Sequence, residues 1–333
     1  MLKLKGFPTG REIERAKSEN RPLVIAPSVR AKCNWRCLPC YLETGLKLKG
    51  EVGLKEHKKV IRESAGLGAK YMVIAMVGEP FMDSAFYNRK NNAFPLIDYA
   101  NEHGIYAVTF TNASLVTEKM LDVLINKGCS FIGKLWSLNS AIDDELTVVK
   151  KKRVERKGVM IPKGLALMMD VGFNRVIDGT TRLGADVIVT AKNYAGIPKV
   201  VEFLLDNGIK PIIDTMIPTG RAKVNYSALK LKPGQNAWLY KQLAPILGKD
   251  FVEDEFVGGC ATKQVGLAYD NFGNVKVCCA LGANVGNIRT EPISELSKKI
   301  YEYRKKLPTY EKELGTLPAC DTAKFIKNQA GLP

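Results

Sequence analysis

The chain has 333 residues, 46% of them hydrophobic, and a formal net charge of +16, enough apolar material for a main domain with a smaller appendage. No apolar run reaches membrane-spanning length, since LVIAPSV and YMVIAMVG have the length of strands, which excludes a helical membrane protein. The basic start MLKLKGFPTGREIERAKSEN lacks the apolar stretch and cleavage site of a secretory signal, so the expected compartment is the cytoplasm.

A short helix over 12–18 leads in, and 23–26 reads as the first strand, with a cysteine-rich loop directly after it. Residues 55–67 form a helix closed by Gly68, ahead of a strand over 71–77. A helix over 94–102 precedes Gly104 and a strand over 105–109. A helix over 117–127 ends at Gly128, ahead of a strand over 131–138. A longer segment carries the basic run Lys150-Lys151-Lys152-Arg153. A helix over 162–171 ends at Gly172, and 174–177 reads as a short strand. A strand over 186–190 leads to a helix over 198–206, Gly208 and a strand over 210–216.

The recurring order of strand, helix, glycine and strand predicts parallel strands joined by right-handed crossovers. Four to six such units over 20–216 make a partial or complete barrel. An open doubly wound sheet is the rival, but no G-x-G-x-x-G follows the first strand; cysteines stand there instead. After Pro218-Thr219-Gly220-Arg221 the pattern changes. A helix over 232–246 is followed by strands over 266–269 and 275–278 around an Asn271-Phe272-Gly273-Asn274 turn, then by an amphipathic helix over 293–307. The expected division is an N-terminal extension (1–20), a core (21–224) and a smaller α+β region (225–333).

The eight cysteines stand at 33, 37, 40, 129, 260, 278, 279 and 320. Disulfide frameworks belong mostly to small secreted chains, and cysteine groups in an intracellular chain more often bind metal. Cys33, Cys37 and Cys40 form a C-x3-C-x2-C run whose thiolates can converge on one centre. Sulfur ligation suits zinc or iron–sulfur clusters. The two histidines, His57 on a charged helix and His103 before Gly104, read as surface residues and complete no zinc set. Three cysteines on a four-iron cube leave one iron open for a substrate or cofactor, which makes the group catalytic rather than structural. Cys129 stands alone before a strand and reads as a buried, unreactive thiol.

This run, directly after the first strand, resembles that of the radical S-adenosylmethionine enzymes, which carry the same spacing with an aromatic or apolar residue before the last cysteine. Pro39 stands at that position, and Trp35, Leu38 and Tyr41 are at hand to supply apolar packing. A second resemblance is Val77-Gly78-Glu79-Pro80 at the end of the second strand, where the family commonly has Gly-Gly-Glu-Pro against the amino group of S-adenosylmethionine. The resemblance gives that role to Gly78, Glu79 and Pro80. Thr111, Asn112, Ser137, Asn139, Lys192 and Asn193 stand at later strand ends, where similar proteins contact the ribose and the methionine carboxylate.

The resemblance implies a partial (β/α)6 barrel of the TIM type, a [4Fe-4S] cluster on Cys33, Cys37 and Cys40, and S-adenosylmethionine cleaved to a radical that abstracts hydrogen from a substrate. A flavodoxin or ferredoxin-type protein is the expected reductant. The second cysteine group resembles the SPASM domain or its shorter Twitch form: Cys260, Gly273 after twelve intervening residues, Cys278, adjacent Cys279, and later Cys320. It implies an auxiliary cluster, expected to be [4Fe-4S], on Cys260, Cys278 and Cys320, with Cys279 or Asp321 as further ligand candidates. Similar proteins often carry a Pro-x-Gly-Arg segment before that region, which leaves Arg221 for an anionic substrate group or a core carboxylate. The substrate stays open among a peptide, a small metabolite and an anionic cofactor or lipid precursor. An RNA-modifying member of the family and a non-catalytic iron–sulfur electron carrier stay open as alternatives. The basic run reads as a solvated surface, with attraction to an anionic partner as its functional alternative. It lacks the interleaved aromatics that stack bases, so nucleic acid is not favoured.

Overall fold

The computed structural model describes residues 2–42, 44–45, 48–75, 78–248, 261–277 and 284–313. The strands are β1 (Lys3–Leu4), β2 (Val24–Pro27), β3 (Tyr71–Ile74), β4 (Tyr106–Phe110), β5 (Cys129–Lys134), β6 (Arg153–Arg156), β7 (Val159–Pro162), β8 (Thr180–Thr181), β9 (Leu183–Val189), β10 (Lys210–Thr215), β11 (Gly266–Tyr269), β12 (Asn274–Lys276) and β13 (Asn284–Asn287). The helices are α1 (Gly10–Ser18), α2 (Leu54–Gly66), α3 (Pro95–Glu102), α4 (Glu118–Leu124), α5 (Ser140–Thr147), α6 (Lys163–Asp170), α7 (Ile197–Asp206), α8 (Gly220–Leu229), α9 (Pro233–Leu247), α10 (Ala261–Val265) and α11 (Ile293–Glu313).

Strands β2, β3, β4, β5, β9 and β10 lie side by side in chain order, all parallel. Consecutive order decides between the two expected architectures. Right-handed crossovers that always step in one direction put every helix on one face. A doubly wound sheet needs a reversal of strand order, and there is none among these six strands. The sheet therefore curls into a partial barrel with its helices outside. Ile25, Met72, Ile74, Ala107, Phe131, Ala185, Val187 and Ile213 face that outer layer and share one core with Ile61, Leu96, Leu121, Leu165, Val201 and Leu204 of the helices. Val24, Val73, Val108 and Ile132 face the other way. They pack with Leu4, Ile13 and Ala16 of the N-terminal segment, which covers part of the concave side.

Most expected elements are present with ends moved by a few residues. The short strand expected over 174–177 is not formed. Thr180–Thr181 pairs instead with Lys3–Leu4, and Ile177 only bridges back to Thr180. The sequence reading gave no element to the segment carrying the basic run, and that segment forms α5 and the β6–β7 hairpin. α8 was also unforeseen. Strand β11 pairs parallel to β2, so the C-terminal hairpin continues the main sheet at the edge beside the first core strand.

Candidate active site

The cysteine loop leaves the top of β2 and is held at both ends. On the way in, Arg30 N donates to Asp83 at 2.9 Å and Ala31 N donates to Glu51 at 2.6 Å. On the way out, Gly45 N returns to the Ala31 carbonyl at 2.8 Å. Cys33, Cys37 and Cys40 are free thiols. They pack into one apolar cluster with Trp35, Trp136, Leu146, Met216, Ala222 and Leu229. Burial raises the Cys33 thiol despite the Trp35 amide hydrogen-bonded to it, and pushes Cys37 up to about 11. These thiols hold their protons until a metal displaces them. Among the described residues no set of three or more His, Cys, Asp or Glu closes into a single-ion site. Three thiols in one apolar pocket, with the Lys134 and Lys151 ammonium groups in their electrostatic reach, are a donor set that suits an iron–sulfur cluster.

The loop is clamped by the start of α8. Arg221 donates to the Cys37 carbonyl at 3.2 Å, the Thr44 carbonyl at 2.8 Å and the Thr44 hydroxyl at 3.0 Å. Thr219 Oγ1 donates to the Tyr41 carbonyl at 2.8 Å and Ala222 N to the Cys40 carbonyl at 2.9 Å. Asn225 donates to the Leu38 carbonyl at 3.3 Å. Gly220 makes the close approach possible. Its φ is +53°, and a Cβ there would meet the Tyr41 and Leu42 backbone at 2.7 Å. Arg221 thus pairs with no core carboxylate among the described residues; three of its guanidinium hydrogen bonds go to the cysteine loop.

A second tie runs through Gly78 and Glu79; Val77 lies outside the described residues. Gly78 has φ +76°, and a Cβ there would sit 2.0 Å from the Arg30 carbonyl oxygen and 2.7 Å from that of Lys32. Glu79 N donates to that same Lys32 carbonyl at 2.9 Å. The Glu79 carboxylate is buried and accepts from Thr111 Oγ1 at 2.6 Å, Asn112 N at 2.8 Å and Phe81 N at 3.3 Å. Burial raises it, and these donors pull it back. It ties the end of β3 to the end of β4. Pro80 is buried beside it, and Phe81 stands edge-on to Phe86 at 5.2 Å. The Asn112 side chain reaches on to Asn34 in the cysteine loop at 2.9 Å, and Asn34 donates to Ser114 at 2.8 Å.

The remaining expected residues divide. Trp35 and Pro39 are buried in the loop, and Tyr41 donates from its hydroxyl to the Ala75 carbonyl at 2.9 Å. Ser137 is buried at the end of β5 and accepts from Asn139 N. Asn193 is buried and spans two strand ends, donating to the Trp136 and Ile188 carbonyls at 2.7 and 2.9 Å. Asn139 and Lys192 do not join them. Asn139 is exposed and caps α5, and Lys192 pairs with Glu145 on that helix. Cys129 is buried, as expected.

Two expectations about charged residues are corrected. His57 is not a surface residue. It is fully buried, its Nδ1 lies 2.7 Å from the Tyr269 hydroxyl, and burial lowers it to about 4. The basic run is only partly solvated. Lys150 and Lys152 face water, but Lys151 and Arg153 turn inward to Asp143, whose side chain is 0% exposed, at 2.6 and 3.1 Å. Asp143 also accepts from Trp136 N, and Lys151 Nζ lies 4.9 Å from the Trp35 ring centroid. Half of the run is thus a brace beneath the cysteine loop. The sequence reading also passed over Lys134, Asp186 and Asp214. The available signal was a charged residue within three mostly apolar strands, the last of which also begins with Lys210.

Cys260, Cys278, Cys279 and Cys320 of the second group, with Asp321, lie outside the described residues. The described part around them is α10, the β11–β12–β13 ribbon with its Asp270–Gly273 turn, and α11. No helix among the described residues is long and apolar enough to cross a membrane.

No family model matches the chain. Over 117 residues it is 27% identical to the Fe-coproporphyrin III synthase of Methanosarcina barkeri, covering 35% of this chain and 27% of that protein. Over 202 residues it is 20% identical to the tungsten-containing aldehyde ferredoxin oxidoreductase cofactor-modifying protein of Pyrococcus furiosus, covering 59% and 52%. The chain thus spans about half or less of the curated relatives it matches. Among solved structures, Streptococcus suis SuiB bound to its precursor peptide SuiA superposes with a TM-score of 0.62 at 16% identity, over 86% of this chain and 68% of that one. The structure of anSMEcpe with bound AdoMet (S-adenosylmethionine) gives a TM-score of 0.59 at 17% identity, over 84% and 82%. At that identity the likeness is one of fold.

Proposed function

We propose that this chain, which belongs to the radical S-adenosylmethionine enzymes, holds a [4Fe-4S] cluster on Cys33, Cys37 and Cys40 and uses it to start hydrogen abstraction from a peptide substrate. The observation that carries the reading is the packing of three free thiols into one pocket at the carboxyl ends of six parallel strands, where ligands of such folds bind. When bound, the cluster supplies one electron, which cleaves S-adenosylmethionine to methionine and a 5′-deoxyadenosyl radical.

This chain's own residues do the rest. Arg221, Thr219 and Asn225 fix the loop carbonyls from outside, so the loop cannot swing away from its pocket. Trp35, Trp136 and Met216 exclude water from the thiols. Glu79, through Thr111 and Asn112, sets the backbone that would meet the amino group of S-adenosylmethionine. Because the Glu79 carboxylate already accepts three protein hydrogen bonds, its part in this reading is to position that backbone. Ser137 is the polar side chain left at the end of β5 to meet the ribose or methionine carboxylate. The peptide part of the reading leans on SuiB with its precursor peptide and on anSMEcpe bound to the Cp18Cys peptide. An auxiliary cluster on Cys260, Cys278 and Cys320 belongs to the same proposal, with Cys279 in reserve.

The test is anaerobic reconstitution with iron and sulfide, then incubation with S-adenosylmethionine and dithionite. We expect 5′-deoxyadenosine from the wild type and none from C33A/C37A/C40A. A wild type that binds iron at that loop and yields no 5′-deoxyadenosine sinks the proposal.

A further inference from the structure

Beneath the cysteine loop the concave face carries charges that none of the steps above uses. Side chains alternate across a strand, so the residues opposite Phe131, Val187 and Ile213 of the outer core point inward. These inward positions include Lys134 on β5, Asp186 on β9 and Asp214 on β10. Lys134 lies in register with Asp186, and Ile188 with Asp214. Ile188 packs in the apolar cluster of the cysteines, which sets Asp214 at the level of that cluster on the neighbouring strand.

The polar pairing on this face is incomplete. The Lys134 ammonium lies 3.5 Å from Asp186 and is held above its ordinary value, against its burial, by Asp186 and the cysteines. That accounts for one carboxylate of two. The Asp214 carboxylate makes no hydrogen bond or ion pair with any described residue. The indole N–H of Trp136 is fully buried near Asp186 and also lacks a hydrogen bond of good geometry. Asp214 is surrounded by protein yet keeps some accessible surface, so a ligand can reach it. Burial first, and the charge of Asp186 second, push its carboxyl up to about 7.

We propose that Asp214, with the Lys134–Asp186 pair behind it, is the subsite for a cationic nitrogen of the substrate, a protonated amine or a guanidinium. A cation there supplies the partner that the second carboxylate lacks and returns Asp214 to its ionised form. The +16 charge of the chain would suggest the opposite, an anionic substrate. Charge on the outer surface steers approach, whereas recognition at the reacting end is set by the groups that face it, and among the described residues of these three strands two inward carboxylates, Asp186 and Asp214, stand beside one inward ammonium, Lys134. The inference rests on the peptide reading above and names the side-chain class that reading leaves open.

The experiment uses the anaerobically reconstituted full chain and four tripeptides, N-acetylated and C-amidated so that the side chain carries the only charge: Gly-Lys-Gly, Gly-Arg-Gly, Gly-norleucine-Gly and Gly-Glu-Gly. Binding is followed by calorimetry in the presence of S-adenosylmethionine. At least one cationic peptide should bind about tenfold or more tighter than the norleucine peptide, with Gly-Glu-Gly weakest. Asp214→Asn should cut that preference to about threefold or less, and Asp214→Glu should keep most of it. Iron content and S-adenosylmethionine affinity, measured on the same preparations, are the internal reference. If D214N loses these in step with the peptide, Asp214 serves S-adenosylmethionine or folding, and the proposal is overturned. Equal binding of the four peptides by the wild type, or none, overturns it too. Failure of the wild type to form 5′-deoxyadenosine strikes instead at the radical reading.

Discussion

The clamp on the cysteine loop can be broken at one side chain. Arg221→Met keeps the aliphatic stem and removes the guanidinium, with its bonds of 3.2, 2.8 and 3.0 Å to Cys37 and Thr44. A hydrogen bond from a charged donor contributes about 1.5–3 kcal/mol, but these acceptors are only part-buried and regain water in the variant. A net loss of about 2–3 kcal/mol for the whole guanidinium is reasonable. The loss falls on the loop rather than on the barrel, because among the described residues the Arg221 side chain makes no hydrogen bond or ion pair with the sheet. A shift of that size changes the population of the closed loop about 30- to 150-fold. The assay is iron and sulfide retained per chain after anaerobic reconstitution and a timed challenge with a chelator, beside a thermal melt. R221M should lose its cluster faster by one to two orders of magnitude, with a melting temperature close to wild type. Thr219→Val, which removes one bond of 2.8 Å, should show the same effect at about 1 kcal/mol. An R221M that sheds iron at the wild-type rate refutes the clamp. So does one that loses iron only because the whole chain unfolds.

Other perturbations test the supports around the site. Asp143→Ala leaves Lys151 buried without its carboxylate and Arg153 with Asp144 alone, and should cost about 3 kcal/mol in urea unfolding, against under about 0.5 kcal/mol for Arg156→Ala at the exposed Asp170 pair; equal effects would contradict the brace. Gly78→Ala forces a Cβ to within 2.0 Å of the Arg30 carbonyl oxygen at φ +76° and should abolish cluster loading, and a fully loaded G78A would show that this turn has slack. His57 is held neutral by burial at about 4, below the 6.5 of an unfolded chain. The unfolded state therefore takes up the proton first as pH falls, so stability present above about 6.5 is lost toward pH 4, by about 3 kcal/mol in all. The urea midpoint should decline over that window in the wild type and stay flatter in His57→Gln; parallel curves would rule out His57 as the cause.

What the sequence revealed is what local spacing encodes. C-x3-C-x2-C, Gly78-Glu79 and the glycine after each helix are short-range patterns, and the structure places the first in a single pocket and the second beside it. The Asp143–Lys151–Arg153 brace spans only a few residues. It was missed because a lysine-rich run reads as solvated unless its carboxylate partner on α5 is known to face it. His57 failed for a similar reason. Its helix α2 is charged on one side, but His57 lies on the face turned to the core, and its partner Tyr269 is 212 residues away. Lys134, Asp186 and Asp214 converge only because three strands stand in chain order, so no window of sequence shows them together.

The same long-range logic joins the first cysteine loop to the β11–β12–β13 ribbon. Glu51 accepts from Ala31 N at 2.6 Å, just ahead of Cys33, and from the Asn271 side chain at 2.9 Å, in the turn between β11 and β12. Val52 N donates to the Asn271 carbonyl at 2.8 Å, and Ser28 N donates to the carbonyl of Tyr269 at 3.0 Å. Arg289, after β13, reaches back to the Gly50 carbonyl at 2.9 Å. The strand that launches the cysteine loop and the ribbon between Cys260 and Cys278 are therefore neighbours in one sheet, stitched again at their tops. Since β11 pairs with β2 residue by residue from Gly266 to Tyr269, a shift in the ribbon must move β2 or break four paired positions. The β11–β12 hairpin is thus fixed to the strand from which the cysteine loop departs.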